Sequence, residues 1–449
     1  MNLIDKIRKT RSNTLKNSDI LGYYDFYTAI VSLDSCEKED FNNTREIAEK
    51  YRNAMKGKLH IDLDDYKIFS KFYSVYYHEI THFIDSTSSL WGFKYLNMMS
   101  KAYTADNLRF DSTEKDFYNA KNFSEFLRFS RLPAYFTEIG YADDSLPWYK
   151  KITTGKRFTS DGFVSDIPII FTTFINKDNK LLARSPISDI SILECSAMSQ
   201  EIQFNLKLIS LLGDEKIVEF DLYTQKIVSY MHNKNITEYS VIFQLLSDKM
   251  KQDSTIEVLI ISGLLCRYLL NFPSKLYDKI HDNFDFENLY QKDPKYSLAR
   301  NEIKKGIKNR NIGFLFYLIY SFIENDLNLK NFNTKFRKCL IYLGLSYDEF
   351  IDKSKQEVDD LFEILKLSKI KELITLAESG YDNFIKINYD NPLLDFDKLN
   401  LPFVLLGDSE KINVYPSNID NKLINLDLDA LYNELIKGQL WVEKFTEAC

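Results

Sequence analysis

Glycine and proline are scarce in this chain, with 14 and 9 positions among 449 residues. Because turns depend on these two residues, their scarcity argues against a turn-rich β-sandwich or β-barrel. Hydrophobic residues make up 45% of the chain, enough for sizeable cores, and the 14% aromatic content argues against disorder. We therefore expect a mainly α-helical protein with a small β component, folded into two or three domains.

Cysteine is also scarce. The five cysteines are odd in number, widely spaced and form no Cys-x-x-Cys pair. We interpret them as reduced thiols, mostly buried, which are typical of a cytoplasmic protein. The first residues of the chain carry positive charge but no apolar segment follows them, so we expect no signal peptide.

Long apolar runs and basic clusters are missing as well. The longest uncharged apolar runs, at 258–266 and 312–323, are well short of the roughly 20 residues that cross a bilayer. We predict that both runs form buried helices.

The formal net charge of -7 provides no positive field that would attract nucleic acid. We expect neither a membrane nor a nucleic acid as a partner, and a cytoplasmic location.

The pattern along the chain predicts many helices and few strands. Residues 20–33 are predicted as a strand or a pair of short elements, and residues 37–55 as a surface helix. The strongest strand pattern is a β-hairpin with strands at 167–175 and 181–184. Further helices are predicted at 90–102, 113–129, 186–201, 215–232, 238–251, 255–271, 297–308, 311–325, 333–342, 346–385 and 428–446, with a possible strand at 412–415.

One stretch of the sequence carries a chemical motif. Residues 78–82 read His-Glu-x-x-His, in which both imidazoles bind a zinc ion and the glutamate acts as a base. Residues four apart on a helix project from the same face, so His78 and His82 can share one ion. Glu79 is rotated by about 100° from His78, which lets it reach a water molecule at the open position of the metal.

The residues around the motif divide between two faces of a helix that is predicted from about residue 64 to residue 85, with Asp62 or Asp64 as its N-cap. The apolar face consists of Phe69, Phe72, Tyr73, Tyr76, Ile80, Phe83 and Ile84. The opposite, polar face consists of Lys71, Ser74, His78, His82 and Asp85. Two histidines satisfied within a core would lie among the aromatic residues, so this arrangement favours a metal site.

The motif supplies two metal ligands, and a catalytic zinc takes three from the protein. Because position 85 is Asp and position 88 is Ser, the three-histidine continuation of the motif is excluded and an acidic third ligand is expected. Glu194, on a predicted helix after the hairpin, is the strongest candidate. Asp85 is the main rival, but one turn past His82 it is better placed to hydrogen-bond that ring than to bind the metal. Glu138 and Glu201 are weaker candidates, expected to be solvated surface charges.

With the His-Glu-x-x-His motif and the downstream Glu194-x-x-Ala197, the chain resembles the gluzincin class of zincin metallopeptidases. The resemblance implies one zinc ion held by His78, His82 and Glu194, with Glu79 as general base and proton shuttle. It also implies that the hairpin provides a sheet edge along which an extended substrate lies. Many gluzincins have an acidic residue one turn after the glutamate, and here that position is Met198.

We accordingly predict three segments. A zincin-like catalytic domain occupies 60–232, an N-terminal segment at 1–59 packs on it, and a helical C-terminal domain follows at 233–449. A donor for the oxyanion of the reaction is also expected. His232 resembles, by its order along the chain, the histidine that some gluzincins use, and the tyrosines that could serve as well are Tyr135, Tyr141, Tyr223 and Tyr230.

The sequence therefore predicts a zinc metallopeptidase that acts on a protein or peptide substrate. Two alternatives stay open: an interaction or regulatory protein that keeps the zincin scaffold for structure, and a zinc hydrolase that cleaves a non-peptide amide or an ester. The sequence leaves open whether Lys71 and Ser74 line the cleft or face solvent. A regulatory protein partner is also left open, and no pattern indicates an oligomeric state.

Overall fold

The computed structural model describes residues 2–11, 21–143, 145–158, 162–250, 255–388, 390–416 and 421–448. The chain is 63% helical with 11% strand, which confirms the expected mainly α fold with a small β component. The helices are α1 Leu3–Arg11, α2 Lys38–Glu46, α3 Ala48–Met55, α4 Leu63–Thr87, α5 Leu90–Tyr103, α6 Phe117–Ser130, α7 Asp189–Ser210, α8 Lys216–Met231, α9 Thr237–Ser247, α10 Thr255–Leu270, α11 Ser274–Asn283, α12 Ser297–Lys308, α13 Ile312–Phe322, α14 Phe332–Tyr342, α15 Tyr347–Leu365, α16 Lys371–Lys386 and α17 Leu428–Ala448.

The strands form two small sheets. They are β1 Tyr23–Asp25, β2 Ile30–Leu33, β3 Glu138–Ile139, β4 Tyr149–Phe158, β5 Val164–Ile175, β6 Leu181–Pro186, β7 Val404–Leu406 and β8 Lys411–Ile412. One sheet has the order β1-β2-β7-β8 and the other β3-β6-β5-β4. Short 3-10 helices lie at Glu114–Asp116, Ala134–Phe136, Lys234–Ile236, Phe286–Lys292, Pro294–Tyr296, Phe396–Lys398 and Lys422–Asn425.

The chain divides into two compact units, each built from separate stretches of sequence. Unit 1 comprises Met1–Glu125, Ala197–Tyr223 and Asp360–Cys449, and unit 2 comprises Phe126–Ser196 and Thr224–Asp359. The predicted boundary at 59/60 falls inside unit 1 and the one at 232/233 inside unit 2. The division differs from three consecutive segments because strands far apart in sequence pair with each other. In unit 1, β2 pairs in parallel with β7, with Val31 opposite Val404.

Helix α4 is the central element of unit 1 and packs against β1, β2, α2, α5 and α16. Its N-cap is Asp62, whose side chain accepts a hydrogen bond from the backbone N–H of Asp65 at 2.8 Å. The helix ends at Thr87, and Ser89 then caps α5 by accepting from the N–H of Gly92. The helices predicted at about 64–85 and at 90–102 are therefore confirmed to within about two residues at each end.

In unit 2, helices α9, α12 and α13 pack on the second sheet. The predicted hairpin is confirmed as β5 and β6. Its expected role as a sheet edge is wrong, because β5 lies between β4 and β6, while β6 lies between β5 and β3. Strand β4 went unpredicted because its sequence, Tyr-Lys-Lys-Ile-Thr-Thr-Gly-Lys-Arg-Phe, is mostly charged or polar.

Helix α7 follows β6 directly and is one continuous helix from Asp189 to Ser210, nine residues longer at its C-terminal end than predicted. Ser188 precedes it, and its hydroxyl accepts from the N–H of Ser191 at 3.3 Å, as expected of an N-cap. The helix carries both Glu194 and Glu201, so these two carboxylates are held at a fixed spacing along one rigid element.

Other predictions also differ from the structure. The surface helix predicted at 37–55 is divided at Ile47 into α2 and α3. The single helix predicted at 346–385 is broken between α15 and α16, where the Ser368 hydroxyl accepts from the backbone N–H of Ile370 and so competes with the helical bonding pattern. Helix α11 was missed because residues 274–283 have few apolar positions. Among the described residues, no single helix is long and apolar enough to cross a membrane; α10 and α11 reach that length and apolarity only as a pair, bent by 92°.

Candidate metal centre

The motif residues lie in the C-terminal half of α4, where the helix is buried on nearly all sides. His82 and Asp85 are each 4% exposed and Glu79 is 8% exposed. The predicted polar face is thus buried at His82 and Asp85, half-buried at Ser74 and His78, and exposed at Lys71. The ring of His82 lies 6.5 Å from that of Tyr24 and 6.1 Å from that of Phe26, which belong to β1 and the turn after it.

Three predicted ligands come together in the structure. One ligand atom from each of His78, His82 and Glu194 lies within 4.8 Å of the other two, so this group could hold a metal ion. The two imidazole rings are 5.0 Å apart and nearly perpendicular. His82 is buried, while His78 and Glu194 are half-buried. Two imidazole nitrogens and one carboxylate oxygen form a donor set that suits a catalytic zinc ion.

Glu194 belongs to a different helix from the two histidines. His78 and His82 are one turn apart on α4, and Glu194 lies in the second turn of α7, after the Ser188 cap. Ala197, the small residue one turn after Glu194, is fully buried. Asp85, the rival ligand, is not part of the convergent group found among the described residues. Its expected hydrogen bond to His82 stays a prediction.

A second carboxylate of α7 contacts the motif. Nδ1 of His78 lies 3.1 Å from Oε2 of Glu201, a distance at which the ring N–H donates to the carboxylate. The expectation that Glu201 is merely a solvated surface charge is therefore wrong. Glu201 lies seven residues after Glu194, which is about two helical turns, so it is on the same side of α7. Glu201 thus gives the motif an acidic partner two turns after Glu194, whereas the residue one turn after Glu194 is Met198.

The neighbours of Glu201 are held by a polar network in unit 1. The Asn205 side chain donates to the Glu201 carbonyl at 3.0 Å and to the Ser74 hydroxyl at 2.8 Å. The Ser70 hydroxyl donates in turn to the Asn205 side-chain oxygen at 2.7 Å. Ser74 therefore hydrogen-bonds to a residue of α7, which answers for Ser74 the question that the sequence left open. Lys71 is exposed and forms an ion pair with Asp40.

The N-terminal turn of α9 brings a phenol close to Glu194. The negative charge of Glu194 is the largest influence on Tyr239 and, together with burial, raises the pKa of that phenol. The neighbouring Glu238 is also affected: burial raises the pKa of its carboxyl, Arg131 opposes that rise and Glu194 adds to it. Tyr239 was not singled out in the sequence analysis, because the chain has 29 tyrosines and nothing in the local pattern distinguishes this one.

The oxyanion donors proposed from sequence have different environments. Nδ1 of His232 is 2.9 Å from the Val228 carbonyl, and its ring lies edge-on to Trp148 at 5.5 Å. Tyr135, Tyr141 and Tyr230 are exposed. Tyr223 has a different environment: burial raises the pKa of its phenol well above the usual value, and the charge of Glu201 adds to the rise.

Comparisons of the chain with models of protein families, with curated proteins and with solved structures found no match.

Proposed function

We propose that this chain is a zinc-dependent metallopeptidase that hydrolyses peptide bonds in a protein or peptide substrate. The observation that carries the proposal is the convergence of His78, His82 and Glu194, with Glu79 adjacent to the first of these ligands on the same helix. The chemistry follows from this arrangement of donors and base, and the resemblance to gluzincins supports it.

Zinc is the metal that fits the donor set best. Two imidazoles and one carboxylate match zinc's preference for nitrogen and oxygen ligands, and three protein ligands leave one coordination position open. A zinc ion bound there would polarise the scissile carbonyl and lower the pKa of the attacking water. Hard cations such as magnesium and calcium prefer sites made of oxygen ligands only, so the two histidines disfavour them.

Glu79 is the general base in this proposal. Its carboxylate takes a proton from the attacking water and then passes it to the nitrogen of the leaving amine. Glu79 is 8% exposed, and a carboxylate shielded from water interacts more strongly with a nearby proton donor than one in solvent. Its place next to His78 in the sequence puts the base one residue away from a metal ligand on a rigid helix.

Glu201 and Tyr239 have supporting roles. By accepting from Nδ1 of His78, Glu201 fixes the ring's tautomer and orientation, so Nε2 is the nitrogen left for the metal. Tyr239 lies close enough to Glu194 for the charge of that carboxylate to raise the pKa of its phenol, and a phenol O–H beside the metal group is a suitable donor to a developing oxyanion. We propose Tyr239 as that donor, in preference to His232.

The test is a cleavage screen with the zinc-loaded full chain on a mixed library of quenched fluorescent peptides, run beside Glu79→Gln. The parent is expected to cleave members of the library, and Glu79→Gln to bind one zinc ion yet lose at least about 100-fold of the rate. A Glu79→Gln variant that cleaves as fast as the parent would contradict the role of Glu79. If the zinc-loaded parent leaves both the library and a cell-extract proteome intact, the peptidase proposal is overturned.

A further inference from the structure

Gly22 lies immediately before β1 and directly against the side chain of Glu79. A Cβ atom at position 22 would be 2.5 Å from Cγ1 of Val75, 2.7 Å from Cγ of Glu79 and 3.2 Å from its Oε1. The first two distances are far shorter than carbon atoms in van der Waals contact allow. The volume that any side chain would need at position 22 is thus already occupied by the stem of Glu79 and by Val75.

Backbone conformation does not explain the glycine. Its φ angle lies outside the left-handed region that L-residues avoid, so the backbone itself would accept an alanine. The requirement for glycine at this position comes from the close approach of the strand to α4.

The strand is held in place on both sides of the contact. The carbonyl of Leu21 accepts from the backbone N–H of Ser35 at 2.9 Å and from the Ser35 hydroxyl at 2.7 Å. Tyr23 is paired with Ser32 in the antiparallel ladder of β1 and β2. Because these contacts prevent the strand from moving away cheaply, an added methyl group would displace the side chains of Val75 and Glu79 instead.

We propose that Gly22 is a positioning residue of the site, whose lack of a side chain leaves the space in which Glu79 is held. The inference rests on the proposed function, since it concerns the base of that reaction. The three atoms nearest to the added Cβ belong to Val75 and Glu79, neither of which is a proposed metal ligand. We therefore expect a side chain at position 22 to disturb the base more than the metal ligands.

The test compares Gly22→Ala with the parent in two measurements. The first is the affinity for zinc, which we expect to stay within about twofold because the ligands are not displaced. The second is the cleavage of the fluorescent peptides, for which kcat should fall about 100-fold, the size of effect that a 1 Å misplacement of a reacting group produces. Gly213→Ala is the matched control, because a Cβ there meets its nearest neighbours at 3.9 and 4.0 Å.

A rescue variant separates misplacement of the base from a general loss of folding. Val75 is half-buried, and Val75→Ala removes the methyl group nearest to position 22. The double variant Gly22→Ala/Val75→Ala is expected to recover at least about tenfold of the lost kcat, because the space left by Cγ1 of Val75 lets the added methyl group shift away from Cγ of Glu79. The single variant Val75→Ala is measured as the reference for the double variant. If Gly22→Ala keeps the parent's kcat, or if the double variant recovers nothing, the positioning role is overturned.

A spectroscopic measurement with Co²⁺ in place of zinc needs no substrate. Glu79→Gln is expected to change the visible spectrum of the bound cobalt, and Gly22→Ala to change it in the same sense with one ion still bound. If Glu79→Gln changes the spectrum and Gly22→Ala does not, the inference about Gly22 fails while the proposed function stands. If neither variant changes it and the parent cleaves no peptide, the proposed function itself fails.

Discussion

Nδ1 of His78 and Oε2 of Glu201 lie 3.1 Å apart. This contact joins α4 to α7, and α7 also carries Glu194, the third residue of the metal group. One helix therefore carries both a candidate metal ligand and the hydrogen-bond partner of another candidate ligand. Since the carboxylate occupies Nδ1, the opposite ring nitrogen of His78 is the one available to a metal ion.

The contact predicts the effect of removing Glu201. Glu201→Ala should weaken zinc binding about 10- to 100-fold, because the ring of His78 loses the group that orients it and raises its basicity. The measurement is a competition titration against a chromophoric zinc chelator. Glu215→Ala, which removes an exposed carboxylate, is the control and should bind zinc as the parent does. Equal affinities for Glu201→Ala and the parent would show that the contact does not orient a ligand.

Replacing the phenol of Tyr239 tests its role as a donor. Tyr239→Phe is expected to lower kcat about 100-fold, because one donor to the developing oxyanion is lost, while zinc affinity is unchanged. Steady-state kinetics on a cleaved fluorescent peptide provide the measurement. Tyr141→Phe, at a fully exposed phenol, should have no effect. A Tyr239→Phe variant with the kcat of the parent would exclude the phenol from the reaction.

His232 predicts a pH dependence of stability. Burial lowers the pKa of its imidazole in the folded state below the ordinary value of 6.5. As the pH falls through that value, the unfolded chain takes up a proton that the folded chain binds less readily, so the stability of the fold decreases. Between pH 7.5 and pH 5.5, the Tm of the His232→Gln variant should fall by fewer degrees than the Tm of the parent. The same acid-induced decrease of Tm in both proteins would contradict this account.

A buried amide pair in unit 1 predicts a stability effect away from the site. The Asn383 side chain donates to the Asn400 carbonyl at 2.9 Å and accepts from its N–H at 2.7 Å, with both residues fully buried. Asn383→Ala leaves these two backbone groups without their partner, at about 1–3 kcal/mol for each. Urea denaturation should show the decrease. The control is Asn42→Ala, at an exposed position on α2, which should leave the free energy of unfolding nearly unchanged. An equally small effect of Asn383→Ala would contradict the prediction.

Local sequence patterns predicted the parts of the site that depend on helix geometry. The spacing of His78 and His82, the Asp62 cap and the helix that carries Glu194 are all properties of short segments, and the structure agrees with them. The burial of His82 and Asp85 was not predictable, because it depends on β1 and on elements distant in the chain.

Other features depend on contacts between distant segments. Glu201 and Tyr239 have the same local patterns as many surface residues of the chain, and their proposed roles depend on tertiary proximity, of Glu201 to His78 and of Tyr239 to Glu194. The pairing of β2 with β7 joins segments at opposite ends of the sequence. The close approach of Gly22 to Glu79 is likewise a tertiary contact, and the identity of residue 22 alone does not predict it.

The central claim is that His78, His82 and Glu194 bind one zinc ion, and an anomalous-scattering measurement at the zinc absorption edge on crystals of the zinc-loaded protein tests it most directly. We expect one strong anomalous peak, about 2.0–2.2 Å from Nε2 of His78, a ring nitrogen of His82 and a carboxylate oxygen of Glu194. Crystals of Glu194→Ala should show a markedly weaker peak. A zinc peak at the two histidines without Glu194 as a ligand, or no peak there at all, would contradict the account.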